Sequence, residues 1–254
     1  MAKGRAGADS SNLVTLQIGG KTLVDLAAET LGEMPVLWGR YFTSASTTGV
    51  VEYRHLREGA LLRANNIRVL PIARQTKRVA GTSADGAADA ALNAEDVILT
   101  FGADYLKSLG GKVLMFLDVE STPPLSVSYY EGWARTLSEH SQTYSKGAVE
   151  ILPCVYGVQS DDTTWNAIAS AANQGVPCHG VWIARWKFHG CHAVPAWNNA
   201  SVTPRVKLPC DVLLWQYSDE CHGGDGFDCN VTNPAIDFDA FIKQLVLPPE
   251  TLTS

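Results

Sequence analysis

Val113-Leu114-Met115-Phe116-Leu117-Asp118-Val119-Glu120 is an apolar run that ends in two carboxylates spaced i, i+2. Gly110-Gly111 precedes it and Ser121-Thr122-Pro123-Pro124 follows it. A short unbroken apolar run between turn signals reads as a strand buried on both faces, as in a parallel sheet. Side chains two apart on a strand point the same way, about 6–7 Å apart along the chain. Asp118 and Glu120 are therefore expected on one face at the C-terminal end of that strand. In α/β barrels this end carries the active site. Two acids held there suit acid–base work, because their surroundings can separate their pKa values. The competing reading is a helix cap, with Asp118 or Ser121 at the N-cap of the next segment.

Outward from this strand, β-type and helical patterns alternate. Upstream, residues 13–18 and 21–27 read as two β-type runs around Gly19-Gly20, the second placing Asp25 at a strand end. Residues 35–42 and 67–72 read as further strands, with a helix at 52–64 between them and an Ala-rich helix or two at 86–109. Downstream, residues 126–143 and 162–173 have helical spacing, with Asp162 as the cap of the second. Residues 150–157, 180–186 and 212–217 read as strands, and 234–246 opens with Ile236-Asp237-Phe238-Asp239 and closes as a short helix. Seven or eight strands alternating with helices predict an α/β fold, a single (β/α)8 TIM-type barrel with room for irregularity. The expected division is a flexible N-terminus at 1–12, the barrel at 13–247 and a tail at 248–254. No Gly-x-Gly-x-x-Gly turn and no Gly-x-Ser-x-Gly elbow occurs, which disfavours a dinucleotide-binding sheet and an α/β-hydrolase.

Composition narrows the function classes. The chain has 254 residues, 46% of them hydrophobic and 18% charged, so a large core is available and long disorder is not expected. A net charge of −6 argues against a nucleic-acid partner. No apolar run is long enough to span a membrane, and residues 1–12 lack the apolar segment of a secretory signal.

All six cysteines follow residue 150, and six allow 15 pairings. Cys221 with Cys229 is the expected local disulfide and Cys191 with Cys210 a second. Cys154, inside an apolar strand, reads equally well as a buried thiol. The rival reading is zinc, held by Cys178-His179, His189-Gly190-Cys191-His192 and Cys221-His222. No Cys-x2-Cys spacing supports it, and neither metal nor cofactor is expected.

Several aromatic residues fall at or near the predicted strand ends: Tyr41, Tyr156, Trp182, Trp186 and Tyr217. Aromatic faces cover the apolar faces of sugar rings while their polar tips hydrogen-bond. Trp182 and Trp186 fit packing between strands and helices equally well, and Trp215 reads as core. Arg40, a charge within the barrel, needs a partner and is expected to find one among the acids.

The ordered pieces resemble family 25 glycoside hydrolases, the N-acetylmuramidases. Val113–Glu120 looks like their Asp-x-Glu strand, Val24-Asp25 like their first-strand aspartate, and Trp182-Ile183-Ala184-Arg185-Trp186 like their Trp-x-Ala-Arg/Lys-Tyr strand. Leu214-Trp215-Gln216-Tyr217 and Ile236-Asp237-Phe238-Asp239-Ala240-Phe241 resemble the closing motifs. Gly39-Arg40-Tyr41-Phe42 and the Ala-rich residues 86–97 bring the chain nearer to the "glycoside-hydrolase-like" domains. The first strand departs from the family's Gly-Ile/Phe-Asp-Val-Ser signature, and a long loop carrying Cys221 and Cys229 separates the last two motifs.

The resemblance implies a monomeric glycosidase that cleaves peptidoglycan and is secreted or released to the cell wall. Glu120 would be the general acid, and Asp118 would stabilise positive charge or orient an acetamido group. Asp25 and Asp237 would complete an acidic ring, and Gln216 would join Tyr41, Tyr156, Trp182, Trp186 and Tyr217 in holding sugar. Partial burial among aromatics is expected to raise the pKa of Glu120. The i, i+2 spacing fits either a retaining or an inverting separation. The alternatives are a silent glycan-binding barrel, a metal-dependent hydrolase and, disfavoured by the lack of paired histidines, a phosphodiesterase.

Overall fold

In the computed structural model, which describes residues 3–43, 50–75, 78–120 and 123–250, eight strands close into a barrel with helices packed around it. The barrel strands are β1 (Ala6–Asp9), β4 (Leu37–Phe42), β5 (Arg68–Arg74), β6 (Lys112–Val119), β7 (Glu150–Val158), β8 (Val181–His189), β9 (Val212–Cys221) and β10 (Phe227–Thr232). The short strands β2 (Gln17–Ile18) and β3 (Lys21–Thr22) pair as a hairpin outside it. The order around the barrel is β1-β10-β9-β8-β7-β6-β5-β4, closing between β4 and β1. All neighbours are parallel except β10, which runs antiparallel to both β9 and β1. A reversed strand needs only a tight turn and no crossover helix, and here that turn is the single 3-10 turn Gly223–Asp225.

The helices are α1 (Leu23–Leu31), α2 (His55–Ala64), α3 (Ser83–Phe101), α4 (Ala103–Ser108), α5 (Val127–Tyr144), α6 (Asp162–Asn173), α7 (Asn199–Val202) and α8 (Phe238–Lys243). Helices α3 and α5 pack at close range, because a Cβ at Gly86 would run into the carbonyl of Tyr129 and one at Gly132 into that of Ser83. Among the described residues, no helix is long and apolar enough to cross a membrane.

Strand alternation divides the core in two. On β6, Val113, Met115, Leu117 and Val119 join the layer between barrel and helices, while Leu114 and Phe116 point inward. The inner cluster also holds Leu37, Leu70, Leu152 and Leu214, and Phe241 and Leu245 seal it from below. That seal belongs to α8 and the segment after it: Leu114 N–H donates to Gln244 O at 2.9 Å, and Val246 pairs with Val69. The N-terminal end of the barrel is thus plugged, and the C-terminal end is left for a cleft.

Five sequence expectations change. Residues 6–9, expected in a flexible terminus, form a barrel strand. Residues 23–27, expected as strand, open α1: Thr22 and Asp25 make a reciprocal capping box, and Gly32 ends the helix in the left-handed conformation. Residues 227–232, expected as loop, are β10. Residues 248–250, expected as tail, dock on α2 through Arg63, which donates to Pro248 O at 2.8 Å and pairs with Glu250. Helix α6 lies where expected but is capped by Asp161 rather than Asp162.

Candidate functional site

At the C-terminal mouth, Asp9, Tyr41, Asp118, Glu120, Tyr156, Trp182, Trp186, Gln216 and Asp228 line one cleft. Asp118 and Glu120 share the inward face of β6, as their spacing predicts, but their depths differ sharply. Asp118 is 2% exposed and Glu120 is 50% exposed. Arg74, from the end of β5, stands over both, 3.7 Å from Asp118 Oδ2 and 3.5 Å from Glu120 Oε2, with its guanidinium above the Tyr41 ring. Neither oxygen of Asp118 accepts a hydrogen bond among the described residues. A buried carboxyl in that state is costly unless a ligand supplies the donor.

Asp9 comes from β1 and Asp228 from β10. Asp9 Oδ1 accepts from Asn230 Nδ2 at 2.6 Å and from Gln216 Nε2 at 3.1 Å. Gln216 Nε2 also donates to Asp228 Oδ2 at 3.2 Å. The other end of the Gln216 amide accepts from Tyr156 Oη and Trp186 Nε1, each at 2.8 Å. Trp182 Nε1 donates to Asn230 Oδ1 at 2.9 Å. One amide therefore holds two acids and two aromatic walls, and a second ties Asp9 to Trp182. Room for this comes from Gly39, whose missing Cβ would crowd Asp9 and Ile72.

Burial pushes Asp9 and Asp118 up to about 7 and Asp228 up to about 8. Repulsion from Asp118 adds to the shift of Asp9, that from Glu120 to Asp118, and that from Asp9 to Asp228. Hydrogen bonds from Asn230 and Gln216 oppose the shift of Asp9 without cancelling it. In the unfolded chain such carboxyls titrate near 4. The fold thus holds protons that the unfolded chain releases between pH 4 and 7, and stability falls as pH rises through that window. One carboxyl shifted this far contributes on the order of 4–6 kcal/mol of that loss at most, and coupled groups contribute less than their sum. Asp9→Asn is expected to raise the unfolding temperature at pH 8 by several degrees, at about 2–4 °C per kcal/mol, and to leave it little changed at pH 4.5. Thermal melts at the two pH values check this, and an equal or lowered midpoint at pH 8 would contradict it.

Three residues expected in the site lie elsewhere. Asp25 is exposed in the α1 capping box, where hydrogen bonds from Thr22 lower its pKa. Asp237 is the exposed N-cap of α8, at the plugged end, accepting from Ala240 N–H. Tyr217 follows Gln216 by one residue and so faces outward, donating to His192 O at 3.1 Å. Trp215 also faces outward and is core. Glu120 is not buried among aromatics as expected; the buried member of the pair is Asp118. Arg40 pairs with Glu58 of α2, away from the cleft acids, because it shares the outward face of β4 with Trp38 and Phe42.

The cysteines are also rearranged: Cys191 is bonded to Cys221. Cys229 lies opposite Ser218, while Cys221 lies opposite Phe227, so the expected hairpin bridge is out of register. Among the described residues, one group of three potential metal ligands converges, Cys191, Cys221 and His222, and two of these are the disulfide.

No protein-family model and no curated protein sequence matches the chain. Solved structures do. An uncharacterized protein of B. stearothermophilus is 22% identical over 95% of this chain and 100% of that one, with a TM-score of 0.66. The spore cortex lytic enzyme SleM of Clostridium perfringens is 16% identical over 92% of this chain and 68% of that one, with a TM-score of 0.52. At such identities the likeness establishes the barrel architecture.

Sequence reasoning missed Asp9, Asp228, Asn230 and Arg74. The signal for the first was Gly7-Ala8-Asp9-Ser10-Ser11, which matches the Gly-x-Asp-x-Ser core of the muramidase first-strand signature that was sought at Asp25. For Asp228 and Asn230 it was the alternation Phe227-Asp228-Cys229-Asn230-Val231. Arg74 lies two residues past the predicted end of its strand.

Proposed function

We propose that this chain is a glycoside hydrolase acting on an amino-sugar polymer of the cell wall, peptidoglycan foremost. The observation that carries the reading is Asp118, a buried carboxyl with no hydrogen-bond donor among the described residues, facing a cleft walled by Tyr41, Tyr156, Trp182 and Trp186. Glycoside cleavage needs a proton donor for the leaving oxygen and a carboxylate beside the cationic centre. Glu120, at the rim, reaches a leaving oxygen and re-protonates from solvent. Asp118, beneath it, faces the sugar. Ionising Asp118 is costly in its buried position and is relieved when positive charge develops above it. That difference is what lowers a barrier, because the interaction strengthens toward the transition state. Asp9 and Asp228, fixed by Gln216 and Asn230, hold the floor rigid.

The likeness of fold to a spore cortex lytic enzyme and the resemblance of Asp118-Val119-Glu120 to the muramidase strand support the substrate class. The same reading places a monomeric protein outside the cell, at the wall. A second reading, a silent glycan-binding barrel, is favoured by Arg74, which lies close enough to both Asp118 and Glu120 to hold them as ion pairs.

Release of reducing ends from purified peptidoglycan and from chitin, with and without chelator, separates these readings. The expected result is release from peptidoglycan that chelator does not change. Sedimentation with the polymer and no release selects the silent barrel. Release that chelator abolishes selects a metal-dependent hydrolase.

A further inference from the structure

The crossover between β8 and β9, residues 190–211, differs from the others on this side of the barrel. Where α5 and α6 cover their strands with 18 and 12 residues, this excursion has only the four-residue α7. About half of it is exposed, and Val194, Trp197, Val202, Val206 and Leu208 rest on the outer core without a regular helix to hold them. Its first turn carries Cys191, bonded to Cys221. Its last turn carries Cys210, whose Sγ lies 2.6 Å from the Sγ of Cys178, in the turn that enters β8. Two unbonded sulfurs do not rest at that separation; a disulfide, at about 2.05 Å, is the nearest attractive arrangement.

We propose that Cys178 and Cys210 form a second disulfide, so that both ends of the 190–211 excursion are covalently fixed, one at each end of strands β8 and β9. Both residues lie at the edge of the fold and are only partly buried. The chemistry is thiol–disulfide exchange with a small-molecule disulfide. A thiolate from one cysteine attacks the oxidant, releasing one reduced thiol and leaving a mixed disulfide. The second cysteine, as thiolate, attacks that mixed disulfide, forms the Cys178–Cys210 bond and releases the second reduced thiol. The protein loses two electrons and two protons in total. Cys154, fully buried on the inner face of β7, and Cys229, buried on the outer face of β10, remain thiols. The proposal does not depend on the catalytic reading.

The test is a thiol count on the full chain. Protein is incubated with oxidised glutathione, denatured without reductant in iodoacetamide, and weighed intact; its unreduced peptides are then mapped. The expected result is two adducts, at Cys154 and Cys229, with one cross-linked peptide joining Cys178 to Cys210 and another joining Cys191 to Cys221. Cys178→Ser is expected to lose the cross-linked peptide and to carry a third adduct at Cys210, either glutathione as a mixed disulfide or iodoacetamide. It should also lower the unfolding temperature by about 5–10 °C under oxidising conditions, but not relative to wild type when both are reduced. Four adducts on wild type, with Cys178 and Cys210 both modified, would overturn the proposal. So would a cross-linked peptide joining either of them to Cys154.

Discussion

Glu120→Gln is expected to lower kcat on peptidoglycan fragments by about 10²–10⁴-fold, the usual contribution of a positioned general acid. The substitution keeps the shape of the side chain and removes its ability to deliver a proton. Its structural cost is small, because Glu120 is half exposed and, among the described residues, its side chain bonds with Arg74. Stability is therefore expected to stay within about 0.5 kcal/mol of wild type. Binding to the polymer should persist, since the walls of Tyr156, Trp182 and Trp186 and the Gln216 network do not involve Glu120. Asp118→Asn is expected to reduce kcat as well, and the double variant to lose much less than the product of the single losses, as residues serving one step behave non-additively. Steady-state rates with soluble muropeptides measure all three. A loss of less than about threefold in Glu120→Gln, with full occupancy of substrate, would remove Glu120 from the acid role.

What the sequence revealed and what it hid follow from the same physics. Strand β6 was legible because it is apolar on both faces and ends in polar residues only where the barrel opens. The shared face of Asp118 and Glu120 needs nothing beyond the two-residue period of a strand. Strand β1 was not legible because Ala6, Gly7 and Ala8 carry almost no hydrophobic signal, and small residues there are what leave space for Asp9 beside Gly39. Strand β10 was hidden for a related reason: its inward positions are Asp228 and Asn230, polar because they build the site. Both omissions fall on the reversed strand and its neighbour, and these two bring Asp9 and Asp228 to the cleft.

The misplacement of Asp25 has a different origin. Leu23-Val24-Asp25-Leu26-Ala27 is equally apolar read as strand or as the first turns of a helix. The deciding residues are Thr22 and Asp25 themselves, a capping-box pair three apart. Tyr217 and Arg40 were placed on the right strands but on the wrong faces. On β9 the inward set is Leu214 and Gln216, so Trp215 and Tyr217 must face the helices, and a one-residue error in register moves every side chain to the other face.

Glu58→Ala is expected to cost about 3–5 kcal/mol, the range for removing one partner of a buried ion pair, and to lower the unfolding temperature by roughly 10 °C or more. Arg40 and Glu58 are both 0% exposed. Arg40 Nε donates to Glu58 Oε2 at 2.8 Å and Nη2 to Oε1 at 3.2 Å. Glu58 also accepts the backbone N–H groups of Val14 and Arg54, so its removal orphans two amides as well as a guanidinium. Replacing both members, as in Arg40→Met with Glu58→Leu, leaves no buried charge. That double variant is expected to be more stable than Glu58→Ala alone. Chemical and thermal unfolding of the cycle measure the coupling, and a single-variant cost below about 1 kcal/mol, or simple additivity, would contradict it. The consequence reaches the cleft. Arg40 Nη1 donates to Ser10 O at 2.6 Å and Trp38 Nε1 to Ser10 Oγ at 3.0 Å, so the pair holds the residue that follows Asp9. The double variant, which melts above Glu58→Ala but no longer fixes Ser10, is expected to lose activity all the same, because the ion pair sets the position of the first-strand acid as well as the strength of the fold.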